Sequence, residues 1–289
     1  MSVAMVRPPH TLHDQRLIEA CDRARAYLFE RESPEGGFCF YRTADLDEPN
    51  LCDTWHAVAG LALLGDVPAH RERLIRFVAE LGVGGELYSV YYRARILQAL
   101  GVADTERAAV RALVAALAPR LPDEADAAAF SSTLDRLRMT LWLKRYAGTP
   151  FPARRIAAAL RAVEHPKGGY GVPANLLDKR VVLAILGLCH ERVARRTKEF
   201  VSRLAVPALG FRLTDDSLTS NLETTCAGLA CARRLGLTVP VEADAIGFIL
   251  ACQSANGGFA RAPGALPGIG LTHLALAALR PTIEALDQT

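Results

Sequence analysis

The chain has 289 residues, 51% of them hydrophobic and 22% charged, which is ample apolar material for a large core and too much for a disordered segment. Its 34 basic and 31 acidic residues leave a net charge of +3 and are scattered along the chain, so no basic block stands ready to neutralise nucleic-acid phosphates. No window approaches the roughly 18 apolar residues of a membrane span, which argues against an integral membrane protein and leaves peripheral membrane contact open.

The N-terminal string MSVAMVRPPHTLHDQ lacks the uninterrupted apolar run of a signal peptide, so a cytoplasmic protein is expected. The seven cysteines are odd in number, contain no CxxC pair and sit mostly in apolar helical contexts, which reads as buried free thiols. No Gly/Ser-rich or Pro-rich linker divides the chain. A single domain over 1–289 is expected, with residues 1–11 as a flexible arm.

In chain order, amphipathic stretches alternate with more apolar ones. RLIEACDRARAYLFE (16–30) has apolar residues at three- and four-residue spacing, and EGGF (35–38) then leads into NLCDTWHAVAGLALLG (50–65), whose second half is apolar nearly all round. AHRERLIRFVAELG (69–82) is amphipathic again, VGGE (83–86) merges with ELYSVYYRARILQALG (86–101), and TERAAVRALVAALAPRL (105–121) precedes TLDRLRMTLWLKRYAG (133–148). ARRIAAALRAV (153–163) comes before KGGY (167–170), and LGF (209–211) before NLETTCAGLACARRLG (221–236). EADAIGFILACQ (242–253), NGGF (256–259) and THLALAAL (272–279) close the series.

This is a repeat. Six registers begin at Asn50, Glu86, Thr133, Asn175, Asn221 and Gly268, and the second position of each is apolar: Leu51, Leu87, Leu134, Leu176, Leu222 and Ile269. Polar amphipathic helices outside and apolar helices inside, in six pairs with glycine-rich corners, predict an all-α (α/α)6 barrel with no β-sheet of consequence.

The strings CQSANGGF and GGF…DTWHAVAGLALLG resemble the repeat shared by protein prenyltransferase β subunits and terpene cyclases of the squalene–hopene type, over roughly residues 12–282. In that superfamily the Gly-Gly-aromatic corner feeds an inner helix whose first turn points into an apolar cavity that holds an isoprenoid chain. The resemblance implies an enzyme that cyclises or rearranges an isoprenoid or polyunsaturated small molecule, needing no cofactor. The motifs depart from both families. Class II cyclases carry D-x-D-D before T-A; here the window is Asn50-Leu51-Cys52-Asp53 before Thr54, with Cys52 at the acid position. Prenyltransferases hold zinc with D-x-C and a later His, and the matching positions are Leu222, Thr224 and Leu271. No metal site is therefore expected, and two rivals stand beside the cyclase: a non-catalytic barrel that binds a lipid or peptide, and a prenyltransferase-like transferase.

The candidate catalytic acids are Glu223, Asp135 and Asp53. Glu223 and Asp135 occupy the third register position, where cyclases keep their acid; an acid there is also stabilised as its anion by the helix dipole, whereas an apolar cavity would keep it protonated. Asp53 fits a capping box with Asn50, as Asp178 does with Asn175, and Thr133 and Asn221 also suit helix starts. Asp53 is thus read first as a capping residue and second as a cavity acid. Asp45 and Asp47 in TADLDEPN are expected in a solvated loop.

The candidate substrate-binding residues are Cys52, Trp55, His56, Tyr88, Tyr91, Tyr92, Arg93, Arg136, Tyr170 and His273. Cys52 and His56 share a helix face, and His273 lies in the last repeat, which abuts the first if the ring closes. With Arg95 and Arg138, the tyrosines and arginines suit a pocket that walls an apolar chain with rings and grips an anionic head. The alternative is that the arginines snorkel and the tyrosines cap the core.

Overall fold

A computed structural model describes residues 12–43, 46–81, 86–102, 107–123, 125–193 and 195–287. The expected arm at 1–11 and Asp45 lie outside the described residues. Twelve helices are found there, and they alternate between two layers. The outer layer is α1 (Leu12–Phe29), α3 (Arg71–Glu80), α5 (Arg107–Ala115), α7 (Ala153–Ala162), α9 (Arg195–Arg203) and α11 (Glu242–Ala251). The inner layer is α2 (Leu51–Leu63), α4 (Leu87–Ala99), α6 (Phe130–Tyr146), α8 (Leu176–Leu188), α10 (Leu222–Arg234) and α12 (Ile269–Asp287). Each inner helix packs on the next, and α12 packs back on α2, so the inner ring closes. The described strands are two hairpins of two-residue strands, β1 (Arg42–Thr43) with β2 (Leu46–Asp47) and β3 (Ala205–Val206) with β4 (Gly210–Phe211).

Local chemistry starts these helices where the repeat places them. The side chains of Asn50, Asn175 and Asn221 each accept from the backbone N–H three residues on, which satisfies one of the orphan donors of α2, α8 and α10. Only Asn221 forms a full capping box, with Thr224. This corrects the boxes expected for Asp53 and Asp178. The backbone N–H groups of Asn50 and Asn175 are already given to Phe38 O (3.2 Å) and Tyr170 O (2.8 Å) of the corner loops, so each carboxylate instead takes its asparagine's side-chain amide, at 2.7 Å. Thr133 is likewise not a cap. The Asp126 carboxylate receives the Ala129 N–H at 3.1 Å and α6 begins a turn earlier, leaving Thr133 inside the helix. Asp47 is in β2 rather than in a loop, and its carboxylate accepts from Ser33 Oγ and Cys39 Sγ, both at 2.8 Å.

The corners explain how the layers lock. In NGGF, Gly257 has φ +91°, and a Cβ there would sit 2.2 Å from Arg23 O on α1; a Cβ on Gly258 would lie 2.3 Å from the Tyr27 ring. The last corner therefore docks on the first helix, which seals the ring. Phe259 is fully buried beyond it, and its N–H donates to Thr272 Oγ1 of α12 at 3.0 Å. The EGGF and KGGY corners repeat the device against α3 and α9. A Gly257→Ala variant is expected to lose about 1–3 kcal/mol to overpacking, with left-handed backbone strain in addition. Chemical denaturation checks this, and an unchanged midpoint would mean that the corner does not hold the seam.

Candidate functional site

The third residue of each inner-helix register is accessible although outer helices cover the other side: Cys52 and Tyr88 are exposed, while Asp135, Leu177, Glu223 and Gly270 are half-buried. The second residues are buried, apart from half-buried Leu51. The third position therefore faces the lumen of the ring, and two groups of side chains meet there.

The first group gathers at the closing seam. His56 Nδ1 on α2 and His273 Nδ1 on α12 are 2.8 Å apart, so one ring donates to the other. The Tyr92 ring lies 6.2 Å from His56 and the Trp55 ring 6.1 Å from His273. Cys52 lies beside Tyr92, whose hydroxyl is raised above the usual tyrosine value by burial. Arg95 on α4 spreads its guanidinium 4.0 Å from the centroid of Trp55 and 5.0 Å from that of Trp142. The Tyr91 hydroxyl accepts from both Arg95 (3.2 Å) and Arg138 (2.8 Å), and Arg138 pairs with Asp135 at 3.2 Å.

Burial pushes His56 down to about 4, helped by the charges of Arg95 and Arg138. His273 falls to about 3 through burial and the charges of His56, Arg95 and Arg180. Both imidazoles are neutral when folded near neutral pH, whereas unfolding returns them to 6.5. The unfolded chain then binds more protons, so the stability they contribute is complete above pH 6.5 and is lost as the pH falls from there toward 3. Denaturation midpoints should drop between pH 7 and pH 5, and His56→Asn with His273→Asn should flatten that slope. An equally steep slope in the double variant would place the protons elsewhere.

The second group lies at the N-terminal ends of α6, α8 and α10. A cavity of about 440 Å³ is lined there by the acids Asp135, Asp178 and Glu223, by Ser131 and Arg180, and by apolar Leu177, Val181, Leu213 and Leu274. Its volume falls within the range of small-molecule pockets. Glu223 pairs with Arg261 at 3.0 Å and Asp135 with Arg138, so both carboxylates have a cation. Asp178 has none. It is buried, and its Oδ2 accepts from Asn175 Nδ2 (2.7 Å) and Ser131 Oγ (2.9 Å), leaving Oδ1 without a hydrogen bond. Burial raises its carboxyl above the usual aspartate value even though those two donors act against it.

The structure thus brings Cys52, Trp55, His56, Tyr91, Tyr92 and His273 together, and places Asp135 with Glu223 at the second group. Asp53 stays at the mouth of α2, held by Asn50. Tyr88 stands one turn from Tyr92 on the lumen register. Three candidates lie elsewhere. Arg93 is buried and donates to Val78 O (2.5 Å) and Ala79 O (3.3 Å), closing the C-terminal end of α3. Arg136 is exposed. Tyr170 is packed in the core between layers, with Lys179 Nζ 4.6 Å from its ring centroid. Asp178, Arg180 and Trp142 escape the sequence reading. Asp178 looks like a capping residue until Tyr170 O is seen to occupy the asparagine's N–H, and nothing local marks Ser131 as its neighbour. Among the described residues no group of three or more His, Cys, Asp or Glu side chains is placed to hold a metal ion, and no helix is long and apolar enough to cross a membrane.

The sequence pattern of the prenyltransferase alpha-alpha toroid domain matches residues 5–117 and 132–287. The chain belongs to this family. Among solved structures, the toroid is similar to type II terpene cyclase MstE from Scytonema, at 16% identity and a TM-score of 0.66, covering 96% of this chain and 99% of that one. A variant of MstE in complex with geranylgeranyl dihydroxybenzoate matches at 15% identity and a TM-score of 0.66, over 94% and 99% of the two chains. The protein geranylgeranyltransferase-I of Candida albicans, complexed with GGPP, matches at 14% and 0.62, over 79% and 83%. No curated protein sequence matches. At these identities the likeness is one of fold.

Proposed function

We propose that this toroid protein is a terpene-cyclase-like enzyme that cyclises an isoprenoid in its lumen by protonating an alkene. The observation that carries the reading is Asp178: a buried carboxyl without a counter-cation, lining the cavity with one oxygen free. Burial raises its carboxyl above the usual aspartate value and so favours the protonated form, and the two hydrogen bonds to Oδ2 stabilise the carboxylate left once an Oδ1 proton is given away. The alkene's π pair takes that proton to form a C–H bond, and the neighbouring carbon becomes cationic. A second alkene of the folded chain attacks this carbon and closes the ring, and loss of a proton from the final cation restores neutrality. Tyr88 and Tyr92 offer ring faces to the migrating charge. Asp135 and Glu223, both ion-paired, shape the field around it rather than supply the proton.

A polyprenoid substrate is in keeping with the geranylgeranyl ligand named for the MstE complex. The acid is displaced from the D-x-D-D window of α2 to the start of α8, so the initiating end of the substrate sits across the ring from Cys52. The test is incubation of the purified protein with C10, C15 and C20 polyprenols, their diphosphates and aromatic prenyl conjugates. The expected product has the substrate's mass and at least one alkene fewer. Return of every substrate unchanged, with the linear chains nonetheless bound, would favour the carrier over the enzyme.

A further inference from the structure

Resting on that reading, we infer that the paired imidazoles of His56 and His273 are the terminating base: His56 Nε2 takes the proton lost by the final cation, so the product is an alkene. The proposed acid and this pair stand on opposite walls of the lumen. The inner ring runs α2, α4, α6, α8, α10, α12 and back to α2, so Asp178 on α8 is three helices from His56 on α2 whichever way the ring is followed. Leu274 lines the 440 Å³ cavity together with Asp178 and directly follows His273, which brings that cavity to the helix carrying the second imidazole.

A base for a carbocation needs a lone pair that is free and open. The 2.8 Å contact between the two Nδ1 atoms requires one ring to carry its proton on Nδ1, which leaves a lone pair on that ring's Nε2. Among the described residues neither Nε2 of the pair has a hydrogen-bond partner. The lumen register decides which ring is open. Its third position carries a side chain in five repeats and a glycine, Gly270, in the last. A Cβ there would lie 3.7 Å from His56 Cδ2 and 3.9 Å from His56 Nε2, so the side chain Gly270 lacks is the one that would cover this edge. Gly270 lies in the first turn of α12 without a positive φ, and the backbone therefore does not ask for glycine. His56 donates from Nδ1 to His273, whose Nε2 keeps its own proton. Burial and the charges of Arg95 and Arg138 hold His56 unprotonated at neutral pH. Such a weak base suffices, because a C–H beside a cationic carbon is strongly acidic. The electron pair of that C–H becomes the new π bond, the proton goes to His56 Nε2, and the hydrogen bond to His273 shares the charge. The imidazolium then passes its proton to water as Asp178 takes one back, which resets both groups.

The test reads the ratio of products rather than the rate, because a merely structural loss lowers turnover without moving that ratio. His56→Phe keeps a ring at a half-buried position and removes the lone pair. The share of the original alkene among cyclised products is expected to fall about tenfold or more, in favour of isomeric alkenes and of alcohols formed by water capture. Gly270→Leu leaves both imidazoles in place, covers the Nε2 edge of His56 and should shift the ratio in the same direction. An unchanged ratio in both variants would overturn the base, whatever happens to the rate. The open edge is also read without turnover by diethyl pyrocarbonate, which acylates an unprotonated imidazole nitrogen with release of carbon dioxide and ethanol. Peptide mass mapping should find the label on His56 in the unaltered protein and lose it in Gly270→Leu. An unlabelled His56, or one labelled equally in both proteins, would show that Gly270 does not bare it. The two failures are distinct: a labelled His56 with no cyclised product would refute the reaction and leave the open imidazole standing, and cyclisation with an unchanged product ratio in both variants would refute the base and leave the reaction standing.

Discussion

Replacing Asp178 by asparagine is expected to lower turnover of a cyclising substrate by about 10²–10⁴-fold, the range contributed by a positioned general acid. The replacement is nearly isosteric, and the amide oxygen can still accept from Asn175 and Ser131, so the thermal midpoint should move little. Substrate binding should also persist, because the lost proton acts in the transition state rather than in the ground state. Asp135→Asn and Glu223→Gln remove carboxylates that already have cationic partners and should cost activity less. A fully active Asp178→Asn beside an inactive Asp135→Asn or Glu223→Gln would move the proton donor to one of the acids named from sequence. Ser131→Ala removes one donor from Oδ2 and should lower the rate more modestly, since the carboxylate formed on proton loss is less stabilised.

The largest stability effect is expected away from the lumen. Lys179 on α8 is buried between layers, and its ammonium donates to Glu164 Oε1 at 2.8 Å and to Thr197 Oγ1 at 2.7 Å. Thr197 in turn donates to the same Glu164 oxygen at 2.9 Å, and Arg196 pairs with the other at 2.6 Å. The network ties the loop after α7, the inner helix α8 and the outer helix α9 into one unit. Burial pushes Lys179 down to about 8, with Glu164 opposing that shift. For Glu164, burial acts upward, but its bonds to Lys179, Arg196 and Thr197 outweigh it and hold the carboxyl low. Glu164→Ala strands the ammonium in the core and should cost about 3–5 kcal/mol, measured by urea unfolding. Replacing both partners, as Lys179→Met with Glu164→Leu, should recover much of that loss, because an apolar pair of similar volume needs no compensation. A loss below about 1 kcal/mol for Glu164→Ala, a value ordinary for exposed ion pairs, would mean that water reaches the site.

Much of the architecture is legible in the sequence because its signals are periodic and local. The register set by Leu51, Leu87, Leu134, Leu176, Leu222 and Ile269 marks the inner helices, and five of the six N-caps fall on the residues it names: Asn50, Glu86, Asn175, Asn221 and Gly268. The sixth fails because α6 starts earlier, directly after a turn in which Asp126 accepts the Ala129 N–H. The corner glycines declare turns, and the structure adds why both members of a pair are needed: one bends the chain and the other makes room for an aromatic of the outer layer, as Gly257 and Gly258 do for α1.

The site is less legible, for a physical reason. Which carboxyl is buried among partners from other repeats depends on long-range neighbours. Asp53 and Asp178 have the same local sequence, Asn-Leu-x-Asp, yet only Asp178 is buried beneath a serine from another repeat. The resemblance directs attention to α2, where Cys52 now occupies the acid position, and not to α8. Arg93 and Tyr170 show the opposite limit. Both have the residue type of a pocket wall, but helix phase turns Arg93 toward α3 and corner geometry drives Tyr170 into the core. Arg180 and Trp142 carry no motif at all and matter through what the ring brings beside them.

In the proposed reaction ring closure begins with a proton delivered by the protein, and running the reaction in D2O and locating the label in the product shows whether it does. One deuterium bound to carbon at the initiating end of the cyclised isoprenoid, formed by the unaltered protein and lost with Asp178→Asn, is the predicted result. A cyclised product free of carbon-bound deuterium, or one formed with release of diphosphate, would show that the cation arises by ionisation and would contradict the role assigned to Asp178.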